Sequence, residues 1–98
     1  MVNSVFIFII SDKRKGVYLS RMLKVAKYME TLEKSGATVN GSTYEKSIRI
    51  HANNTKLSLT QLEKKTRQTF KGMKIIKEIQ IVYTDKKHKK KIKTIKKF

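Results

Sequence analysis

Residues 4–11, Ser-Val-Phe-Ile-Phe-Ile-Ile-Ser, carry six consecutive β-branched or aromatic side chains with no charge, glycine or proline among them. A run this short and this continuously apolar suits a strand buried on both faces, and therefore one at the centre of a sheet. A chain of 98 residues holds one compact domain, so the remaining elements must pack around that strand. The run is far below the ~20 apolar residues that a membrane-spanning helix needs. Lys13, Arg14 and Lys15 come after it, the reverse of a secretory signal. The expectation is an intracellular chain of the cytoplasm, nucleoid or nucleus, not a secreted one.

The following segments alternate between helical and strand periods. After the basic turn at 12–16, Tyr18, Met22, Val25, Met29 and Leu32 recur at helical spacing, and Leu19, Leu23 and Ala26 widen the stripe. Gly36 stands where a left-handed residue ends such a helix. Residues 37–46 are polar and turn-rich; Asn40-Gly41 signals a tight turn, but its flanks are too polar to predict a full hairpin. Residues 47–52 alternate, with Ile48, Ile50 and Ala52 on one face and Arg49 and His51 on the other, as a half-buried strand does. Ser58 and Gln61 form a capping-box pair opening a second helix to about Lys71, whose thin stripe is Leu59, Leu62 and Phe70 with Thr66 in the gap. Beyond Gly72, Met73, Ile75, Ile79, Ile81 and Tyr83 define one face of a long strand over 73–84. Residues 90–98 are a last strand or a tail, because Ile92 and Ile95 sit three apart and fit neither period. The fold class is α+β, a two-layer β-α-β-α-β-β arrangement with two helices on a small mixed sheet. Residues 1–85 form the domain, and 86–98 its lysine-rich arm or closing strand.

Charge narrows the function. Twenty-four Lys and Arg against seven Asp and Glu give a formal net charge of +17. Residues 86–98 hold eight of the lysines and no acid, so sixteen basic residues remain against seven acids, a net +9, in the rest of the chain. An anionic partner, nucleic acid foremost, follows from this imbalance. Lys13, Arg14 and Lys15 crowd the start of the first helix, where the helix dipole is already positive, and an anion there relieves both. Arg21 and Lys24 continue that patch, Arg49 projects from the outward strand face, and Lys86, Lys87, Lys89, Lys90 and Lys91 form the arm. Such a set neutralises phosphates; with only four Arg the chain lacks a bidentate array for reading bases.

Catalytic and cofactor motifs are not found. With no Cys there is no thiolate metal site and no cysteine nucleophile. His51 and His88 are far apart, and no carboxylate stands at metal-ligand spacing to either. Phosphate-binding and dinucleotide-binding glycine loops are missing as well. No enzyme activity, cofactor, metal or small-molecule substrate is expected. Phe6 and Phe8 read as strand core, and nothing matches the aromatic signature of the RNA-recognition motif.

The order of strand, basic loop, long helix, the strand Ser-Ile-Arg-Ile-His-Ala, second helix, the strand Ile-Ile-Lys-Glu-Ile-Gln-Ile and a basic closing strand resembles the Alba superfamily. These are small basic proteins of archaeal chromatin, with eukaryotic RNA-binding relatives. The resemblance places Lys13, Arg14 and Lys15 at the family's binding loop. Residues 53–56, with Lys56, fall at its second loop, and residues 84–91 at its hairpin arm. It also implies a homodimer packed through the second helix, with Leu59, Leu62 and Phe70 at the seam. The leading expectation is thus sequence-nonspecific binding of DNA or RNA through phosphates, as a dimer. The alternatives are a structural RNA-binding subunit of a ribonucleoprotein, of the ribosomal type with a ferredoxin-like sheet or the ribonuclease P type, and a small ribonuclease-like toxin using a histidine. A membrane partner is not expected, since no basic amphipathic helix is left over for a lipid surface.

Overall fold

In the computed structural model, which describes residues 4–11, 14, 19, 21–84, 87 and 89–96, the apolar run becomes strand β1 (Ser4–Ser11), third of five in the sheet. Helix α1 (Leu23–Lys34), strands β2 (Thr38–Thr43) and β3 (Ser47–Asn53), helix α2 (Leu59–Thr69), and strands β4 (Ile76–Thr84) and β5 (Lys90–Ile95) follow. The sheet order is β2-β3-β1-β4-β5, and each neighbouring pair is antiparallel.

The architecture is the expected α+β class, but the sheet is antiparallel and not mixed, and it gains a strand. Each helical connection skips one position in the sheet. The connection from β1 through α1 to β2 leaves a place for β3, and the connection from β3 through α2 to β4 passes over β1. Strands that run the same way are therefore never neighbours. The first six elements have the β-α-β-β-α-β order of a split βαβ, or ferredoxin-like, unit, with β5 added as a hairpin beyond β4.

The additional strand is the polar segment for which no hairpin was expected. Asn40-Gly41 lies inside β2, while the chain reverses at Glu45 and Lys46, closed by Tyr44 N–H donating to the Ser47 carbonyl at 2.8 Å. An edge strand needs a backbone partner on one side only, so polar side chains are no obstacle. Gly41 has a packing reason: a Cβ there would stand 3.3 Å from Cε of Met29, whose side chain lies over the strand.

The core lies on one side of the sheet. Val5, Ile7 and Ile9 are wholly enclosed, together with Ile50 and Ala52 of β3 and Ile79 and Ile81 of β4. Fully burying such aliphatic side chains contributes roughly 1.5–3 kcal/mol each. Leu19, Val25, Tyr28 and Leu32 close the core from the α1 side, and Leu62, Thr66 and Phe70 from the α2 side. The buried stripe of α1 is therefore rotated from the expected one. It takes in Tyr28, while Leu23 is 68% exposed and Ala26 lies outside. Gly36 ends α1 with φ +99°, and Ser58 and Gln61 make the reciprocal capping box of α2, both as the sequence predicts.

Tyr28 joins the two helices. The Thr66 hydroxyl donates to the Leu62 carbonyl at 2.7 Å, so its single proton is committed, and the Tyr28 hydroxyl donates to Thr66 Oγ1 at 2.8 Å. Burial raises the Tyr28 pKa well above its ordinary value, against a smaller lowering by the Thr66 hydrogen bond. The ring also packs tilted against Phe70, with centroids 5.2 Å apart.

Two outcomes follow for denaturant unfolding. Thr66→Val strands the buried Tyr28 hydroxyl and should cost about 1–3 kcal/mol, more than Tyr28→Phe, which leaves the Thr66 proton satisfied. An unfolded tyrosine ionises near pH 10, while the folded group, its pKa raised, stays neutral. Its contribution is therefore complete below that pH and is lost as pH rises toward the folded value. Relative to Tyr28→Phe, the wild type should lose about 1.4 kcal/mol per pH unit above 10.

Candidate nucleic-acid interface

Because successive strand side chains point to opposite faces, burying Val5, Ile7 and Ile9 under the helices sends Phe6, Phe8 and Ile10 to the other face. There they are only half-buried. Phe6 and Phe8 are thus surface-facing and not core, which corrects the sequence expectation. β1 is central, as predicted, but only one of its faces is enclosed. Both parities of the run are apolar, so alternation carried no signal. A usable signal was the supply of helix: two helices, the second with a thin apolar stripe, cannot cover both faces of a five-stranded sheet.

Strand register sets the neighbours on this uncovered face. Phe6 lies between His51 of β3 and Val82 of β4, and Val82 in turn opposes Ile92 of β5. Phe8 lies between Arg49 and Gln80. Ile92 and Ile95 fall on opposite faces because they differ in parity; Ile95 is enclosed in the core while Ile92 is 60% exposed. Their three-residue spacing therefore belongs to a strand with one apolar residue on each side.

A row of rings and one cation runs across β3 and β1. Phe6 and His51 stack face to face with centroids 4.2 Å apart and planes within 8°. The Arg49 guanidinium carbon stands 5.6 Å from the Phe6 centroid and 5.7 Å from that of Tyr44, between the two rings. Cation–π attraction at such distances contributes about 0.5–1 kcal/mol at exposed sites. Ser4 Oγ lies 3.1 Å from His51 Nε2 and holds the imidazole from its other end. Arg49 and His51 face outward as predicted, and Tyr44 beside the turn completes the row.

The remaining sequence-predicted residues do not all meet here. Arg14 is exposed and pairs with Glu45 of the β2–β3 turn, Nε to Oε1 2.7 Å, which brings it to the Tyr44–Arg49 end of the face. Arg21 and Lys24 flank the start of α1 beside a shallow cavity of about 530 Å³ that Met22, Leu23 and Met73 also line. Lys56 is exposed and its side chain runs beside Gly36: its Cε would be 3.6 Å from a Cβ there, at the end of α1 where the helix dipole is negative. Lys87, Lys89, Lys90 and Lys91 lead into or lie on β5 and are exposed. Lys13, Lys15 and Lys86 lie outside the described residues, as does His88.

The expected dimer seam is not on the surface. Leu62 and Phe70 are wholly enclosed by the chain's own core, and Leu59 packs half-buried against it. The thin stripe of α2 is spent on α1 and the sheet, which leaves Leu62 and Phe70 no exposed area for a second copy. Among the described residues no group of three or more His, Cys, Asp or Glu is placed to hold a metal ion, and no helix is long and apolar enough to cross a membrane. No protein family, no curated protein and no solved structure matches the chain.

Both partners of the Arg14–Glu45 pair are largely exposed, so water screens it. Glu45→Gln should change unfolding stability by less than about 1 kcal/mol in a double-mutant cycle with Arg14→Gln. A larger coupling would mean that Arg14 is a fixed structural strut.

Proposed function

We propose that this protein binds nucleic acid without reading its sequence, holding phosphates with the cations that border the uncovered sheet face. The observation that carries this reading is the charge of the β5 edge. Lys90, Lys91 and Lys93 are exposed, and their register partners on β4 are Thr84, Tyr83 and Ile81, none of them acidic. Alternation puts Lys90 on the uncovered face and Lys91 and Lys93 on the helix side, so the strand offers positive charge to both sides of one edge. Lysines on an edge strand also keep other sheets from pairing with it, and that role asks for one or two. Residues 87–96 hold six lysines and no acid, more than protection needs.

Arg49 on the face extends the positive border, while Arg14 at its end is paired with Glu45 and adds no net charge there. The Alba-like order would lack β2, so the proposal rests on these cations and not on the family. The split-βαβ order of the sheet favours the second reading, a structural RNA-binding subunit of a ribonucleoprotein, since small ferredoxin-like sheets with lysine arms suit that role.

Fluorescence anisotropy against labelled RNA and DNA across a salt series tests the proposal. Contacts to phosphate release counterions, and six of them should lower affinity about a thousandfold between 50 and 200 mM salt. The triple variant Lys90→Gln, Lys91→Gln, Lys93→Gln should weaken binding to every probe and reduce the log–log salt slope by about 2–3. An unchanged slope in that variant would remove β5 from the interface.

A further inference from the structure

We propose that the uncovered sheet face takes unpaired bases of a single-stranded nucleic acid, one base extending the Phe6–His51 stack while Arg49 holds the neighbouring phosphate. This rests on the nucleic-acid reading above and names its substrate class. Phosphate contacts alone treat duplex and single strand alike; the ring row does not. Phe6 and His51 are already parallel at stacking distance, on strands held in fixed register at the centre of the sheet. The Phe6 ring already has the Arg49 guanidinium over it, so a third flat ring would join the pair on the His51 side, next to Asn40 of β2. Arg49 presents a planar cation between Phe6 and Tyr44, whose N–H groups suit a phosphate.

Base faces in a duplex are hidden by their neighbours. A platform of rings on a sheet is therefore useful only to unpaired bases. Charge argues for nucleic acid over a protein partner or a second copy. Glu78 is the one acid on these strands, and the Gln80 side-chain amide donates to it at 3.0 Å; Glu45 of the β2–β3 turn is paired with Arg14. A second copy of a chain with net charge +17 would bring like charges together across this surface.

The test uses the full chain and two fluorescein-labelled probes of equal phosphate count, a 12-nucleotide single-stranded oligouridine RNA and a short RNA hairpin whose loop is a hexaethylene glycol linker and so carries no unpaired base. A third probe is the oligouridine carrying 2-aminopurine at its centre. The wild type should bind the single strand at least tenfold more tightly than the hairpin and quench the 2-aminopurine, since stacking on an aromatic ring does so. The double variant Phe6→Leu, His51→Ala keeps an apolar filler beside Val82 but removes both flat rings. It should lose about tenfold in single-strand affinity and the quench, with hairpin binding and salt slope unchanged. Arg49→Lys, which keeps the charge but not the plane, serves as the variant least able to unfold the chain and should lose severalfold on the single strand.

Equal wild-type affinity for both probes with no quench overturns the stacking proposal and leaves phosphate binding standing. Binding of neither probe overturns both readings. Self-association in analytical ultracentrifugation that the Phe6→Leu, His51→Ala variant abolishes would assign the face to a second copy, and overturns the proposal as well.

Discussion

The double-sided pairing of β1 is the constraint on which the rest of this structure depends. Its register with β3 and β4 aligns Val5, Ile7 and Ile9 with Ala52, Ile50 and Ile48 on one side and with Tyr83, Ile81 and Ile79 on the other. A slip of one residue on any of these strands would move its whole apolar set to the opposite face. Once those rows agree, the helices have one face to cover, and the other face receives whatever has the opposite parity. On β1 that is Phe6, Phe8 and Ile10. The candidate interface is thus the complement of the core, set by the same register.

The helices are held over the core by a polar tie as well as by apolar packing. The relay from the Tyr28 hydroxyl to Thr66 and on to the Leu62 carbonyl lets two polar side chains sit at full burial without an unpaired group. Tyr28 and Thr66 thereby fix which faces of α1 and α2 meet. That choice spends the apolar stripe of α2 inside the chain, and it sends Lys56 toward the end of α1, away from the sheet face where Arg49 lies. The positive charge that remains for a partner gathers at β5 and at the β2–β3 turn.

On the proposed reading, the rings, the guanidinium and the edge of lysines would have complementary tasks. The lysines would supply long-range attraction that falls with salt, and the rings short-range contact with unpaired bases. Neither requires sequence reading. Phe6, which faces outward half-buried, lies against His51, Arg49 and Val82.

Much of this fold is legible from local pattern alone. The central strand, the alternating strand with Arg49 and His51 outward, the Ser58–Gln61 cap and the glycine end of α1 follow from side-chain period and backbone chemistry, which neighbours in sequence decide. The net charge and its concentration after residue 85 are likewise properties of the chain itself. Strand β2, the antiparallel order and the exposure of Phe6 and Phe8 are decided only by the tertiary structure. A polar edge strand is held by backbone hydrogen bonds to a partner distant in sequence or joined by a turn, and its side chains carry little sign of it. An apolar run of both parities does not say which face the helices will cover. That choice depends on the total apolar surface that two short helices can offer, and it leaves Phe6, His51 and Arg49 together on the side the helices do not reach.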